Sequence, residues 1–409
     1  MVSYQTSAFE ASELLHEELA LRGFSVFHDK CSFPLGIRIE RNMSDAVRLC
    51  HVFVGYLTES ALYPNSLEGS RRPVLDAEFK PIMERWRDAS SAGKSVDVGP
   101  RPVVLILTHG LGDPRTEAPE RIRKATGEDI SSLWNPITLD QTTSGISQPE
   151  AAAAAACVLG AIFAPGGVSA TDQPIDLSVV TRGQGQPLAF LTVDATALVG
   201  GPASRSGDPS SWIRYLAGIS DLQVALAKWS RNRHLRIMAN AHISACIALG
   251  RVFNQAAGWQ LTVVGRFGES NFRAYPHPDS RLAIVTDLVG GPGDITVEID
   301  LVGAGVTRMA TEQIAAFDQS PRGRLQIHLK GSEELKPEQI AAAAAESARH
   351  IRRFVADLRP ERAHVFCASP ADFAVLMSSR LTSLHTDLCL YERHDGSYVS
   401  SIVIPRSLP

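Results

Sequence analysis

The chain has 409 residues, of which 44% are hydrophobic and 21% charged, so it is long enough for two or three domains and too apolar to be disordered. Its formal net charge of −4 excludes the long-range attraction that draws basic proteins to DNA or to anionic membranes. The six cysteines have no zinc-site spacing, and there is neither a signal peptide nor an apolar run of about 18–20 residues, which predicts a cytoplasmic protein without a metal site.

The first 165 residues alternate strand-like and helix-like segments, which predicts an α/β domain built on a parallel sheet. We expect strands at 2–4, 24–28, 51–57 and 103–108, and helices at 8–22, 37–49 and 75–88. A capping box formed by Ser147 and Glu150 begins an alanine-rich helix that runs to Phe163, where Ala-Pro-Gly-Gly stops it. We therefore place one domain at 1–165 and a second at 168–409.

The second domain contains a degenerate internal repeat. A strand at 235–241, an apolar helix to Phe253 and a strand at 261–264 recur as a strand at 363–369, a helix to Leu381 and a strand at 388–391. Corresponding residues are 128 positions apart in the first strand and 127 in the last. Each copy follows a strand and a long helix of its own, at 188–194 and 212–229 in one copy and at 324–329 and 338–358 in the other. The repeat predicts two fused βαβαβ halves, about 168–280 and 281–409, with a ligand at the carboxyl ends of their strands.

Motifs in the first domain resemble the TIR family. In chain order they are Ser3-Tyr4, Gly23-Phe24-Ser25-Val26-Phe27-His28-Asp29, Pro34-Leu35-Gly36 and His51-Val52-Phe53-Val54-Gly55-Tyr56-Leu57. The resemblance extends over most of residues 1–165 and implies a flavodoxin-like fold. It departs from the family after the third strand, where Ser-x-x-Trp-Cys-x-x-Glu is absent and Leu75-Asp76-Ala77-Glu78-Phe79 follows a long loop.

TIR domains are either adaptors or enzymes that break the nicotinamide–ribose bond of NAD. That reaction builds positive charge on the ribose and releases a neutral group, so one ionised glutamate is sufficient. Glu78 flanks the apolar stripe of the predicted helix and matches the family's Trp-x-x-Glu-Leu position. Pro81 instead favours a helix that begins near it, which makes Glu84 the early glutamate. The resemblance thus implies an NAD nucleosidase whose catalytic residue is Glu78 or Glu84.

The NAD site implied by the resemblance lies at the crevice that a doubly wound sheet presents at its strand ends. Its lining residues are Tyr4, Gln5, Asp29 and Phe33. No Gly-x-Gly-x-x-Gly motif is present, so NAD is expected as a substrate and not as a redox cofactor.

The second domain resembles SAVED, a sensor family related to paired CARF domains, in its repeated βαβαβ plan behind a TIR-like domain. The family implies binding of a cyclic oligonucleotide made in bacterial antiphage systems. Such a ligand needs cations and backbone N–H groups for its phosphates and aromatic faces for its bases. The residues of suitable type at predicted strand ends are Arg205, His242, Ser244, Arg266, Lys330, Ser369, Tyr391 and Arg393.

Together the two resemblances imply an antiphage effector of the CBASS type, in which a cyclic oligonucleotide such as cyclic tri-adenylate activates NAD cleavage. We expect the ligand to drive self-association into an oligomer or filament, because a sensor with two different ends makes heterologous contacts. The alternative is a TIR adaptor that signals by self-association without catalysis. The ring size, bases and linkage of the ligand stay open, as does hydrolysis against cyclisation of ADP-ribose.

Overall fold

The chain divides into two compact units, Met1–Ser169 and Ala170–Pro409, in a computed structural model. The residues that it describes are 2–4, 9–26, 47, 50, 52–62, 78–91, 103–113, 116–127, 137–138, 146–163, 172–182, 189–199, 208–266, 268–271, 281–331, 333–382 and 384–407.

The described strands of the N-terminal unit form one parallel sheet in sequence order. They are β1 (Val2–Tyr4), β2 (Val52–Thr58), β3 (Val103–His109) and β4 (Ile137–Thr138). The helices are α1 (Phe9–Leu21), α2 (Glu59–Leu62), α3 (Lys80–Ser91), α4 (Glu117–Thr126) and α5 (Gln148–Ile162). Apolar side chains of β2, including Phe53 and Leu57, share a core with Phe79, Ile82 and Met83 at the start of α3. The apolar face of α3 therefore fixes this helix against the sheet.

Helices α1 and α5 pack against each other around a buried ion pair. Arg22 Nη1 lies 2.6 Å from Glu18 Oε2, and both side chains are only 2% exposed. Gln148 of α5 donates to the other oxygen of Glu18 at 3.2 Å. The predicted cap of α5 forms as well, because Glu150 accepts hydrogen bonds from the backbone N–H and the hydroxyl of Ser147 at 2.7 and 2.6 Å.

One sequence prediction for this unit needs correction. The strand predicted at 24–28 is wrong for Phe24–Val26, which lie in no strand, while its last two residues lie outside the described part. Arg22 and Gly23 form a turn after α1, and Phe24 N–H bonds back to the carbonyl of Leu19 at 3.2 Å, so this segment closes the helix instead of extending. The helix predicted at 75–88 is confirmed over its described residues: Glu78 and Phe79 form a wider helical turn, α3 runs from Lys80 with Pro81 in its first turn, and residues 75–77 lie outside the described part. The predicted helix 37–49 lies almost wholly outside the described residues.

The first half of the C-terminal unit is a five-stranded sheet with the order β6-β5-β7-β8-β9. Its strands are β5 (Ile175–Val180), β6 (Leu191–Asp194), β7 (His234–Asn240), β8 (Gln260–Gly265) and β9 (Gly268–Asn271). Strands β5 to β8 run parallel, and β9 returns antiparallel to β8. The helices are α6 (Thr196–Val199), α7 (Pro209–Trp229) and α8 (Ile243–Val252).

The second half is a six-stranded sheet with the order β10-β12-β11-β13-β14-β15. Its strands are β10 (Leu282–Leu288), β11 (Ile295–Asp300), β12 (Gly323–Leu329), β13 (Arg362–Ala368), β14 (Asp387–His394) and β15 (Ser397–Ile404). The helices are α9 (Val306–Ile314), α10 (Pro337–Leu358) and α11 (Ala371–Ser378). Strands β10 and β15 are antiparallel to their neighbours, so this sheet is mixed.

The two sheets share one topology. The order β6-β5-β7-β8-β9 corresponds strand by strand to β12-β11-β13-β14-β15, and β10 is an addition at one edge. The predicted βαβαβ halves are therefore incomplete, because each also contains a central strand, β5 or β11, and an antiparallel strand after the last parallel one.

The halves meet where α8 packs against α11. Gly250 of α8 and Ser378 of α11 are repeat-equivalent, and a Cβ at Gly250 would overlap Ser378 Oγ and the carbonyl oxygen of Val375. Gln255 N–H also donates to the carbonyl of Ser379 at 3.0 Å. The two helices therefore cross at backbone distance, which only glycine at position 250 permits.

Candidate functional site

Both sheets have a crevice at the carboxyl ends of their central strands. In each sheet the chain goes from the central strand to one neighbour and then crosses back to the other, and ligands bind α/β sheets at such switch points. We call the ends of β5 and β7, with Thr181, Arg182 and His242, the first-half crevice. The ends of β11 and β13, with Asp300 and Ala371, form the second-half crevice.

The second-half crevice opens into a pocket of about 840 Å³. Its walls come from both halves of the unit. The first half contributes Ala239, Val264, Gly265 and Arg266. The second half contributes the β11 end at Asp300–Gly303, the β12 end at His328 and Leu329, and the start of α11 at Pro370–Asp372, with further residues before and within α10. A volume of this order is in the range of small-molecule sites, about 300–1,000 Å³.

Asp300 holds the wall of this pocket in place. Its carboxylate accepts hydrogen bonds from the backbone N–H groups of Ala304, Gly305 and Val306, at 2.9, 2.8 and 3.2 Å. These are N–H groups at the start of α9, where a negative charge is stabilised by the helix dipole. The carboxylate therefore fixes the loop between β11 and α9 that lines the pocket.

Two buried carboxylates join the halves at repeat-equivalent places. Glu392 of β14 accepts the backbone N–H of Ser244, the second residue of α8, at 2.5 Å. Asp372, the second residue of α11, accepts the hydroxyl of Ser270 in β9 at 2.9 Å. Burial raises the pKa of both carboxyls, and the hydrogen bonds that each accepts act in the opposite direction.

In these two contacts the acidic residue and the small residue have changed places between strand and helix. Ser244 corresponds to Asp372 in the repeat, and Gly265 corresponds to Glu392. A Cβ at Gly265 would lie 2.5 Å from Asp372 Oδ2, so the carboxylate in its present position leaves no room for a side chain at 265. In one contact the strand end supplies the acid, and in the other the helix start supplies it.

The first-half crevice is built on Thr181 and His242. The Thr181 hydroxyl accepts the backbone N–H of His242 at 2.7 Å and lies 2.8 Å from its ring Nδ1. Burial, with a smaller contribution from the Arg182 guanidinium, lowers the pKa of His242 to about 4, so the ring is neutral at neutral pH. Trp212 packs edge-on against this ring, at a centroid distance of 6.1 Å. His242 therefore contributes shape and hydrogen bonding here, and the positive charge comes from Arg182.

The sequence-predicted nucleotide-binding residues lie in different surroundings. Arg266 lines the pocket, Lys330 is exposed beside the pocket residue Gly331, and Ser369 directly precedes the pocket residue Pro370. His242 and Ser244 are buried in the first half, where Ser244 contacts Glu392 and Ser401.

Tyr391 is buried within an aromatic cluster: it stacks on Phe366 and its hydroxyl lies 2.8 Å from His364 Nδ1. Arg393 is exposed on β14, and Arg205 lies outside the described residues.

The two candidate catalytic glutamates occupy different environments. Glu78 is 7% exposed in a wider turn just before α3, and Glu84 is exposed in the second turn of that helix. Tyr4 ends β1 beside Tyr56 of β2. Gln5, Asp29 and Phe33 lie outside the described residues.

Several residues of these crevices were missed in the sequence. Asp300 and Arg182 directly end or follow central strands that were not predicted, and Glu392 reaches a partner 148 positions away. A signal existed for Glu392, because the repeat places it opposite Gly265 and so marks the position as asymmetric.

The described ranges contain neither a candidate membrane span nor a candidate metal cluster. No helix there is long and apolar enough to span a bilayer. Within the same ranges, no three or more His, Cys, Asp or Glu side chains cluster in a way that could hold a metal ion.

Residues 220–404 match the family model SAVED, whose description is "SMODS-associated and fused to various effectors sensor domain". No curated protein matches the chain. Solved structures similar to it include an Acinetobacter baumannii Cap4 SAVED/CARF-domain containing receptor with the cyclic trinucleotide 2′3′3′-cAAA, at 12% identity and TM-score 0.47 over 99% of each chain. Another is a Moraxella osloensis Cap4 SAVED/CARF-domain containing receptor, at 14% identity and TM-score 0.46 over 97% of this chain and 98% of that one.

Proposed function

We propose that the C-terminal unit, in which residues 220–404 match the SAVED family model, binds a cyclic oligonucleotide and thereby activates NAD cleavage by the N-terminal unit. The observation that carries the first step is the pocket of about 840 Å³ at the strand ends, because residues from both halves line it. A ring-shaped ligand with several phosphates and bases needs contacts from more than one direction, and two fused halves supply them.

The chemistry of the pocket agrees with such a ligand. Arg266 supplies a cation at the rim, and Lys330 lies beside the lining residue Gly331. The turn at Pro370–Asp372 brings the start of α11 to the wall, where backbone N–H groups point out of the helix. Cyclic tri-adenylate is the ligand that the family resemblance puts first.

The enzymatic step is proposed for the N-terminal unit from its resemblance to TIR domains. Helix α3 follows β2 in the chain, so its first turns lie toward the carboxyl edge of the sheet, where ligands of α/β sheets bind. Glu84 is exposed there and can reach a substrate, whereas Glu78 is buried beside the core. We therefore assign the carboxylate that stabilises the ribose cation to Glu84, with Glu78 as the other candidate, and NAD as the substrate.

One experiment tests both steps. Purified full-length protein is incubated with NAD and with cyclic di-, tri- or tetra-adenylate, and released nicotinamide is measured. We expect release only with a ligand that binds, loss of release in Glu84→Gln with binding and melting temperature retained, and normal release in the control Asp88→Asn, one turn further along α3. If Glu78→Gln alone abolishes release, the catalytic assignment moves to Glu78.

Release without any ligand would refute activation, and no release with a bound ligand would refute the enzyme and support a non-catalytic adaptor. Binding itself is tested with Arg266→Ala, Lys330→Ala and Arg393→Ala. Their effect should shrink at high salt because screening already weakens phosphate pairs in the wild type.

The ligand is further proposed to act by assembling protomers into an oligomer or filament, as part of an antiphage response. A ligand shifts an assembly equilibrium only when it binds the assembled state more tightly. Light scattering should therefore rise with ligand at the same concentrations that start nicotinamide release. Full activity of ligand-bound monomers would refute this step.

A further inference from the structure

The first-half crevice carries a positive charge that the second-half crevice lacks. Arg182 directly follows Thr181 at the end of β5, and the backbone N–H groups of both residues bond to the carbonyl of Asn240 at the end of β7, at 3.1 Å for Thr181 and 3.3 Å for Arg182. This bridge places Arg182 across the switch point, and its side chain is 47% exposed.

The repeat shows how different the two crevices are. Leu235 and Ala363 are repeat-equivalent, and their partners in the central strands are Ile175 and Ile295. Counted from these partners, Val180 corresponds to Asp300, and Arg182 corresponds to Val302. The second-half crevice thus has an acid and an exposed valine where the first has a valine and an arginine. Asp372 adds a second carboxylate on that side, at the position of Ser244.

Arg182 is held in place from one side. Its Nη2 lies 3.4 Å from Oε2 of Glu392, whose other oxygen accepts the Ser244 N–H at 2.5 Å. Glu392 is 5% exposed and therefore has one fixed position. Among the side chains that the structure describes, Glu392 is the one hydrogen-bond partner of the Arg182 guanidinium. A guanidinium has five N–H donors in a planar fork, a geometry suited to phosphate.

We propose that the first-half crevice is a phosphate subsite for the cyclic oligonucleotide, with Arg182 as the binding cation and Glu392 as the positioning residue. This inference rests on the proposed function. It adds an anion contact in the first-half crevice to those proposed for Arg266 and Lys330 at the pocket, whose own crevice carries the carboxylates of Asp300 and Asp372.

The test measures the affinity of full-length protein for cyclic di-, tri- and tetra-adenylate by calorimetry. Arg182→Ala should weaken binding of the ligand that binds wild type by about 10- to 100-fold, the scale of a lost charge-assisted contact, and Arg182→Lys should restore part of it. The control is Arg236→Ala, whose side chain is 41% exposed and pairs with Asp176 at 3.4 Å and with Glu269 at 2.7 Å, near the amino-terminal end of β7. It should leave affinity unchanged.

The positioning role of Glu392 is tested by the affinity of a double variant. Glu392→Gln should weaken binding in the wild-type background and have no further effect in the Arg182→Ala background, whereas a merely structural role would give the same loss in both. If wild type binds none of the three ligands, the proposed function is refuted and the inference falls with it. If wild type binds and Arg182→Ala binds equally well, the inference alone is wrong.

Discussion

Gly250→Ala should separate the two halves of the C-terminal unit at their closest point. The added Cβ would overlap Ser378 Oγ and the carbonyl oxygen of Val375, and would lie 3.0 Å from the backbone nitrogen of Ser379. A serine side chain can rotate, but the two backbone atoms belong to α11 and move only if that whole helix moves. Overpacking of this kind costs about 1–3 kcal/mol of stability. Because two backbone atoms are in the way, the cost for Gly250→Ala should be about 3 kcal/mol.

The same substitution also gains helix propensity. Alanine is about 1 kcal/mol better than glycine inside a helix, so the net loss is about 2 kcal/mol. For a unit of this size each kcal/mol moves the melting temperature by about 2–4 °C, which predicts a decrease of about 4–8 °C in calorimetry of the full-length protein.

A glycine in the N-terminal unit provides the control. Gly160 lies in α5, and a Cβ at this position would meet nothing within 4 Å. Gly160→Ala should therefore stabilise its own unit by about 0.5–1 kcal/mol. Adding Ser378→Ala to Gly250→Ala should recover part of the loss, because it removes Oγ and leaves the carbonyl of Val375. A Gly250→Ala protein that melts at or above the wild-type temperature would refute the close crossing of α8 and α11.

Three further predictions concern buried polar contacts. Thr181→Val should cost about 1–3 kcal/mol in urea unfolding, because it leaves the N–H of His242 without its acceptor; an unchanged midpoint would refute that hydrogen bond. Glu18→Ala should cost about 3–5 kcal/mol of stability and lower the melting temperature, because it removes the carboxylate that faces the buried guanidinium of Arg22. Glu120→Ala, in an exposed pair, should leave the melting temperature nearly unchanged. For Glu392, whose folded pKa lies above the ordinary 4.5, ionisation in the folded state costs stability as pH rises. Glu392→Gln should therefore gain on wild type as the pH rises above the ordinary pKa of 4.5, and a difference that stays constant with pH would contradict the raised pKa.

The repeat was readable in the sequence because its strands and helices are apolar runs in a fixed order. The central strand β11 was not, because Glu298 and Asp300 give it the appearance of a solvated segment, yet all six of its residues are buried. Glu298 is tolerated there because Arg324 lies 2.8 Å from it and Gln326 donates to it at 3.0 Å, both from β12. Cross-strand partners of this kind are set by register, which periodicity does not encode.

Some residues of the candidate sites could likewise be found from the sequence, and others could not. The pocket residue Arg266 could be found from its place at a strand end, and Glu78 and Glu84 from their spacing on an amphipathic segment. Which glutamate is accessible depended on where α3 begins, and Pro81 was the informative residue. Arg182 and Glu392 could not be paired from the sequence because their contact spans 210 positions and joins two different sheets.

The exchanged acids at the junction also bear on the origin of this chain. If Gly265→Glu were combined with Asp372→Ser, both halves would carry the same two residues at the junction, and each strand end would meet the helix start of the other half as Glu392 now meets Ser244. A gene encoding one such half would need a second copy of its own product to complete both contacts, which is the geometry of a twofold homodimer. In a single chain the two halves need not be identical, so one junction can carry its acid on the strand and the other on the helix. Natural relatives should accordingly change positions 265 and 372 together, with an acid at one always accompanied by a small residue at the other.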